Sequence, residues 1–437
     1  MVGLVGVLLL GAGGLAAEPG VAAERAASGW LEVGSGSASA GGISGNATAS
    51  EYATLALDAA GRPVVAWHDR GLRDVEVAGW NGTAWDRLGV GVTSPGGADE
   101  FLSCYPSLAA LGGAPVLAWV QERSVLAFAL YVRRWDGSAW VELGTGSATA
   151  GGVSQSTGWP LYPSLAATAD GRLVLAWQDN SGADDEIRVR QWTGSTWDEL
   201  GAGSGTGGGI SHSLGRATRP AVAAGAVGRV AVAWIDDASG AREVYVRLWD
   251  GAAWIEAGAG SASGGGISAS HGGIAGQEPP ALAFSPAGHL LVAWTGATGG
   301  KAEIYVRRWD GSRWAEMGAG SAAAGGVSAS PGPANRPTLA LTAAGTPILA
   351  WQEQTGGLTQ VLVKRWNGRA WVDAGAAARA AASARPLVRR RGRPPWSMRC
   401  RGKSSSPGTA LSATPTRRST CGNGPAAPRV SIRRWPA

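Results

Sequence analysis

Two positions that recur along the chain hold side chains able to bind a polar ligand. The first position opens a short apolar stretch and is mostly aromatic or basic, and the second lies two residues after an Ala-Trp pair and is mostly acidic or amide. Aromatic faces stack on sugar rings, while carboxylate and guanidinium groups bind hydroxyls or charged substituents. The first set is Tyr52, Tyr105, Tyr162, Arg219, Pro279 and Arg336, and the second set is Asp69, Gln121, Asp179, Asp236, Gly296 and Glu353.

Two stretches that depart from the recurrent pattern extend this candidate site. Trp159 lies in "STGWPLYP", and the unusual loop "GGADEFLSCYP" spans residues 96–106. In repetitive proteins, function concentrates where the copies differ, on loops of one face. The predicted ligand-binding residues are therefore Tyr52, Tyr105, Tyr162, Arg219, Arg336, Asp69, Asp179, Asp236, Glu353 and Trp159.

The acidic residues do not by themselves indicate catalysis. Hydrolysis of a glycosidic bond needs two carboxylates that face one pocket, whereas these carboxylates come from different copies of the pattern. The stretch "DNSGADDE" (179–186) is acidic, but it lacks the ligand spacing of a dedicated calcium loop. We predict no catalytic residue, no metal site and no cofactor, and calcium at residues 179–186 is the alternative.

An internal repeat of about 57 residues carries all of these positions. Its most regular motif is Trp-x-Gly-x-x-Trp. Upstream of each copy lies an Ala-Trp pair, and downstream a loop rich in Gly, Ser and Ala closes in several copies with Gly-Gly-Ile/Val-Ser. The copies are "WNGTAW" (80–85), "WDGSAW" (135–140), "WTGSTW" (192–197), "WDGAAW" (249–254), "WDGSRW" (309–314) and "WNGRAW" (366–371).

Each repeat predicts four short strands. In the third copy they cover 162–168, 171–177, 186–192 and 195–201, separated by turn residues such as Thr193-Gly194. No stretch shows a convincing helical period. Four strands in a repeat of this length are typical of a β-propeller blade, so we predict an all-β propeller in which the tryptophans fill the wedges between blades.

The number of strands leaves one blade incomplete. Six repeats are whole, from Tyr52 to Gly375, but the segment "GWLEVGSGSASAGGIS" (29–44) before them reads as a fourth strand with its loop and without the first three strands. Such a strand closes a propeller ring by joining the last blade, since an open sheet edge is a liability. A seventh blade of three strands is therefore expected near the C-terminus, and the propeller domain is predicted over residues 29–375.

The C-terminal residues 376–437 do not look like that blade. The whole chain has 38 Lys+Arg and 32 Asp+Glu, but these residues alone hold 14 basic and no acidic side chains. In the −1 reading frame the codons for Lys403–Thr409 permit Val-Val-Val-Ala-Trp-Asp, and hidden tryptophans fall across Pro407/Gly408 and Asn423/Gly424, about one repeat after Trp351 and Trp366. We interpret the tail as an out-of-frame seventh blade, and a basic segment that binds nucleic acid is the alternative.

The N-terminal sequence and the cysteine content indicate the compartment in which the protein functions. Residues 1–28 begin with an apolar run followed by small residues, which predicts a secretory signal or leader cleaved near Ala16 or Ala17. Cys104 is the one cysteine of the propeller region, so no disulfide framework supports it. We expect a secreted, extracellular or periplasmic monomer that neither spans a membrane nor binds nucleic acid.

The Ala-Trp, Trp-x-Gly-x-x-Trp and Leu-Gly elements between Trp30 and Gly375 resemble the Trp-rich β-propellers of secreted bacterial proteins, including sialidase-like propellers and seven-bladed propeller lectins. The Asp-box of sialidases, Ser-x-Asp-x-Gly-x-x-Trp, is absent from this sequence, so no catalytic residues are carried over. The resemblance implies a binding module that recognises a glycan or a protein surface through the loop face around the central channel. A sialidase-like glycoside hydrolase or lyase is the alternative.

Overall fold

A computed structural model describes residues 31–374, apart from 39–41, 90–91, 93–101, 125–126, 183, 227, 269–273, 275–277, 299 and 324. The chain divides into two compact units, Met1–Ala384 and Arg385–Ala437, and every described residue belongs to the first. The predicted leader (1–28) and basic tail (376–437) lie outside the described residues. None of the described residues forms an apolar helix of membrane-spanning length.

The described residues form twenty-four strands and no helix, which confirms the all-β prediction. They make six antiparallel sheets in which each strand pairs with the next, and these sheets are the blades of a β-propeller.

Blade 1 holds β1 (Ser50–Leu57), β2 (Pro63–Asp69), β3 (Asp74–Trp80) and β4 (Trp85–Arg87). Blade 2 holds β5 (Ser103–Leu111), β6 (Ala114–Ser124), β7 (Ala127–Trp135) and β8 (Trp140–Glu142). Blade 3 holds β9 (Leu161–Ala167), β10 (Leu173–Asp179), β11 (Glu186–Trp192) and β12 (Trp197–Glu199). Blade 4 holds β13 (Thr218–Ala224), β14 (Val230–Asp236), β15 (Glu243–Trp249) and β16 (Trp254–Glu256). Blade 5 holds β17 (Ala281–Phe284), β18 (Leu290–Thr298), β19 (Lys301–Trp309) and β20 (Trp314–Glu316). Blade 6 holds β21 (Ala334–Leu341), β22 (Pro347–Thr355), β23 (Leu358–Trp366) and β24 (Trp371–Asp373).

The second-strand tryptophans of blades 2–6 fill the wedges between neighbouring blades, as the sequence predicts. Alternate side chains of a strand point to opposite faces of its sheet. Each blade therefore has a forward apolar face, towards the next blade in sequence, and a backward apolar face, towards the preceding blade. Ala118 and Val132 on the forward face of blade 2 pack against Leu175 and Trp177 on the backward face of blade 3, and Trp177 is completely buried. Equivalent cores join blades 1 and 2, 3 and 4, 4 and 5, and 5 and 6.

The second tryptophan of the Trp-x-Gly-x-x-Trp motif ties each blade to the preceding one. In blade 2, the Asp136 carboxylate accepts the Ser138 and Ala139 amides at 2.8 Å and so closes the hairpin. The indole Nε1 of Trp140 then donates to the Leu88 carbonyl of blade 1 at 2.7 Å. The same bond recurs in every later blade at 2.5–2.9 Å. The motif therefore joins successive blades.

The Gly-Gly-Ile/Val-Ser element hydrogen-bonds the loop after the fourth strand to the third strand of the same blade. In blade 3 the Ile210 amide donates to the Ile187 carbonyl at 2.7 Å, and the Ser211 hydroxyl accepts the Ile187 amide at 2.8 Å. Gly209 precedes this bridge with a φ of 61°, and a Cβ there would lie 2.1 Å from the Ile187 carbonyl oxygen. A glycine is required because any side chain would collide with that carbonyl.

The N-terminal segment 31–38 occupies the place that the end of a fourth strand occupies in front of every other blade. The Val33 carbonyl accepts the Trp85 indole Nε1 at 2.6 Å, and a Cβ on Gly34 would lie 2.5 Å from the Trp80 ring. The sequence predicts a fourth strand with its loop in 29–44. Residues 33–38 form the same bends and turns as residues 200–205 of blade 3, whereas residues 31 and 32 do not form a strand. None of the six described sheets includes a third strand with which these two residues could pair.

Replacement of a wedge tryptophan tests the interblade cores. We expect Trp177→Ala to lower the free energy of unfolding by about 3–5 kcal/mol, because it leaves a large cavity between blades 2 and 3. Leu214→Ala is the control, since Leu214 is 97% exposed and its loss should change stability by less than about 0.5 kcal/mol. Urea unfolding measures both. Equal stability of the two variants would contradict the assignment of Trp177 to the core.

Candidate functional site

Five residues of the first candidate set lie on β-bulges at the start of the innermost strands. All five have a left-handed φ between 52° and 57°. The strand register shifts at each of these places. Proline follows in four of them and fits there because a bulge leaves one residue out of the hydrogen-bonded ladder. These residues are Tyr52, Tyr105, Tyr162, Arg219 and Arg336.

Four of these residues form a continuous row of side chains, which we call the mouth row: Tyr52, Tyr105, Tyr162 and Arg219. The ring centroids of Tyr52 and Tyr105 are 4.7 Å apart, and those of Tyr105 and Tyr162 are 4.4 Å apart. The Arg219 guanidinium lies 3.7 Å from the centroid of the Tyr162 ring. One residue from each of blades 1–4 thus meets its neighbours at the strand that faces the central channel.

The mouth row consists of half-buried groups with a neutral aromatic surface. Burial, reinforced by Tyr162 and Cys104, raises the pKa of Tyr105 far above its ordinary value. Burial likewise raises the pKa of Tyr52. The phenols of Tyr52 and Tyr105 therefore stay un-ionised at neutral pH, and the rings of the row offer flat faces beside the one cation, Arg219, that the row contains.

The row does not continue into blade 5. Pro279 stands at the equivalent position, and its ring fixes φ near −65°, so it cannot take the left-handed conformation of the others. β17 accordingly begins only at Ala281. In blade 6 the Arg336 Nε lies 3.3 Å from Glu278, which belongs to the loop that leads into blade 5. The structure thus places Arg336 in an ion pair and outside the contacts of the mouth row.

The acidic residues of the second set are buried and bonded within their own blades. The Asp179 carboxylate accepts the Trp177 indole Nε1 at 3.0 Å and the Ser181 amide at 2.9 Å, and it is fully buried. Asp236 accepts the Trp234 indole at 2.9 Å and the Ser213 hydroxyl at 2.7 Å. The geometry gives these carboxylates a structural role, since they hold the wedge tryptophan and the loop after the second strand.

The carboxylates of Asp69 and Glu353 also accept hydrogen bonds from nearby groups, but their partners differ. Glu353 accepts the Trp351 indole Nε1 at 3.4 Å, whereas Asp69 accepts the Thr48 hydroxyl at 2.9 Å and the Gly71 amide at 2.8 Å. Burial alone would raise the pKa of Asp69, but hydrogen bonds from Leu72, Thr48, Asn46 and Gly71 lower it below its usual value. The ligand-binding role predicted for the four carboxylates stays a prediction, and these contacts do not favour it.

Trp159 lies beside the mouth row, on the loop before β9. Its ring contacts Phe128 edge-to-face at a centroid distance of 5.7 Å, and its amide donates to the Asn180 side chain at 2.7 Å. Both side chains belong to an apolar cluster with Cys104, Val120 and Leu161, on which Leu102, Tyr105 and Tyr162 also pack. Blades 2 and 3 therefore support the row with an apolar base. The sequence predicts Trp159 as a site residue but gives no signal for Phe128.

His68 is a second residue that sequence reasoning missed. It lies between Trp67 and Asp69, and its ring stacks on Tyr52 at a centroid distance of 6.5 Å. Both ring nitrogens are buried and have no hydrogen-bond partner within the described part of the chain. Burial lowers the pKa of His68, and Arg70 adds to this while Glu51 and Asp69 oppose it. Gln178 and Gln352 occupy the same repeat position, which is the signal that could have pointed to a polar group there.

The acidic stretch 179–186 does not form a cluster of free carboxylates. The Asp185 carboxylate pairs with Arg216 at 2.6 Å and accepts the Gln178 side-chain amide at 3.0 Å. Glu186 accepts the Ser211 hydroxyl in a short hydrogen bond. Among the described residues no group of acidic, histidine or cysteine side chains has the arrangement of a metal site. Two carboxylates of the stretch thus serve to join the loops of blades 3 and 4.

The opposite end of the central channel has a different chemistry. A cavity of about 440 Å³ lies where the innermost strands of blades 3–6 end. Its lining is Ala167, Thr168, Ala169, Ala224, Gly225, Ala226, Phe284, Ser285, Pro286, Leu341 and Thr342. This lining has no ionisable group and thus differs from the aromatic and basic mouth row.

Comparison with known proteins identifies similar folds only. No protein-family model and no curated protein matches the sequence. Among solved structures, a Hadza microbial sialidase, Hz136, is 14% identical with a TM-score of 0.47, over 72% of this chain and 65% of its own length. An α-L-arabinofuranosidase of Fusarium graminearum is 15% identical, with a TM-score of 0.44 over 72% of this chain and 92% of that one. The Aleuria aurantia lectin is 14% identical, with a TM-score of 0.40 over 75% and 94% of the two chains.

A histidine replacement tests the burial of His68. Because its pKa is lowered in the folded state, the unfolded state binds more protons below about pH 6.5, and stability should fall as the pH drops from about 7 to 5. His68→Gln should make that decline shallower, as measured by urea unfolding at several pH values. Leu214→Ala, at an exposed position without a titratable group, is the control and should keep the wild-type slope. The same slope in His68→Gln and wild type would show that His68 is not buried in neutral form.

Proposed function

We propose that the protein is a secreted binding module that recognises a glycan at the mouth row. The observation that carries this proposal is the row itself: Tyr52, Tyr105 and Tyr162 are in mutual ring contact and end at Arg219. Sugar rings stack on aromatic faces, and a guanidinium donates hydrogen bonds to hydroxyl or carboxylate groups. Such a row suits an extended saccharide that contacts several blades at once.

The backbone of the row supports a functional interpretation. A left-handed φ costs on the order of 1–3 kcal/mol at a residue other than glycine. The chain nevertheless holds tyrosine or arginine at the four places of the row. Glycine would relieve this strain but would remove the side chains that face the channel mouth. Retention of large side chains at strained positions supports the proposal that their surface is used.

Binding is favoured over hydrolysis because of what the carboxylates do. A glycosidase needs two of them on either side of one bond, but Asp179 and Asp236 are fully or almost fully buried and bonded to the indoles of their own blades. The mouth row is aromatic and basic. A sialidase-like hydrolase or lyase and a module that binds a protein surface are the alternatives to glycan binding, and the tests of glycan binding can reveal either one. We propose an extracellular or periplasmic monomer.

Truncation of the row tests this function. In a glycan array with neutral and carboxylate-bearing oligosaccharides, we expect binding that Tyr105→Ala or Tyr162→Ala weakens by about 1–3 kcal/mol, because each removes an aromatic anchor. That loss equals about 5- to 150-fold in affinity.

Tyr105→Phe is the matched control, since it keeps the ring and loses the hydroxyl, with its bond to Tyr162 at 3.4 Å. It should retain most of the affinity, and thermal unfolding should show that each variant is folded. Absence of any glycan binding would contradict the proposal. Full affinity in both alanine variants would move the site away from the row, and release of sugar from a bound glycan would make the protein an enzyme.

A further inference from the structure

The described residues form one interblade core fewer than a closed ring needs. Five cores join six blades in sequence. The forward face of blade 6 holds Ile348, Ala350 and Val363, which, within the described part of the chain, cluster only with side chains of the same blade. The backward face of blade 1 holds Trp67, whose indole nitrogen is buried without a hydrogen-bond partner among the described residues. These are the two kinds of face that meet in every other interface.

The N-terminal segment supplies the end of a blade that precedes blade 1. The Gly36 amide donates to Glu32 at 2.9 Å, as the Gly203 amide donates to Glu199 at 2.8 Å in blade 3. The Val33 carbonyl accepts the Trp85 indole as Leu143 accepts Trp197. The segment is thus already docked on blade 1 through bonds that each intact blade makes with its successor.

The same segment lacks the strand on which its equivalents depend. In blade 3 the Ser204 hydroxyl donates to the Val189 carbonyl at 3.0 Å, and the Val189 amide donates back to the Ser204 carbonyl at 2.8 Å. Ser37 is the matching residue, and Ile43 matches Ile210, whose amide pairs with Ile187. None of the six described sheets offers Ser37 or Ile43 a third strand.

We propose that the place between blade 6 and the N-terminal segment receives a three-stranded seventh blade, which the −1 reading frame of the codons for residues 376–425 encodes. The fourth strand of that blade is the N-terminal segment. Restoration of the frame converts an open arc of six blades into a closed ring of seven, so the printed chain is the out-of-frame form.

The sequence encoded in the −1 frame is complementary to the forward face of blade 6 and to the backward face of blade 1. Its Val-Val-Val-Ala-Trp-Asp stretch has the pattern of a second strand, and its tryptophan falls across Pro407/Gly408, about one repeat after Trp351. In a blade that follows blade 6, this tryptophan would face Ala350 as Trp351 faces Ala293. The alternating alanine and valine would face Trp67, as Ala118 faces Trp177 in the interface of blades 2 and 3.

The nucleotide sequence is the first test. The −1 frame must encode tryptophan across Pro407/Gly408 and across Asn423/Gly424. Absence of either codon overturns the proposal, whatever the behaviour of the protein.

Hydrogen exchange on the full chain, as printed and with the frame restored before residue 376, is the second test. The Ile43 amide should exchange at least about 100-fold more slowly after restoration, because it gains a strand partner, while the Ile210 amide serves as an internal reference and keeps its rate. Thermal stability should rise with it. In the restored chain, replacement of the tryptophan encoded across Pro407/Gly408 by alanine should reverse most of the gain.

Two results would overturn the proposal. One is an Ile43 amide that exchanges at the same rate in both chains while the restored chain is folded. The other is an Ile43 amide already protected in the printed chain together with a dimer in sedimentation, because a second copy would then fill the place. Neither result depends on glycan binding, so the test is separate from that of the proposed function.

Discussion

The requirement that both faces of every blade be covered determines the architecture of this protein. A four-stranded sheet with apolar side chains on both faces cannot stand in water alone, and here the forward faces of blades 1–5 are each covered by a backward face that carries a buried tryptophan. The indole bond from the second motif tryptophan to the preceding blade fixes the spacing between sheets. Repetition of one interface turns the sheets around an axis, and the first strands of successive blades then line a channel.

The candidate site is a consequence of that convergence. Tyr105 and Tyr162 lie 57 residues apart in sequence, yet their hydroxyls approach to 3.4 Å because each occupies the same place on an innermost strand. The bulge and the following proline rotate the side chain out of the ladder and towards its neighbour in the next blade. A repeat that places one residue per blade at this position therefore generates a row without any local sequence motif for a site.

Much of this could be predicted from sequence, because strand length and wedge residues recur in every copy. The third strand of blade 3 was predicted with both ends correct, while the predicted fourth strand, 195–201, shortens to Trp197–Glu199, since an outermost strand has a partner on one side only. The role of the acidic set is harder to read. Residues i and i+2 of a strand point to the same face, so Asp179 meets the indole of Trp177 and is buried with it. Bulges and the contacts of His68 depend on packing between blades, which a single repeat does not encode.

Departures from the repeat decide where the mouth row ends. Blade 5 has Pro279 where the row needs a left-handed residue, and Gly296 where other blades have an acid or amide. The Tyr305 ring fills the space of that missing side chain, since a Cβ on Gly296 would lie 2.8 Å from it. Two changes in one blade thus remove the row residue and the polar group together. Under the proposed function, a ligand that follows the row would meet three aromatic rings, then one cation, then the position of Pro279. Pseudo-symmetry builds this surface, and the irregular blade gives it two different ends, as the proposed binding of an extended saccharide requires.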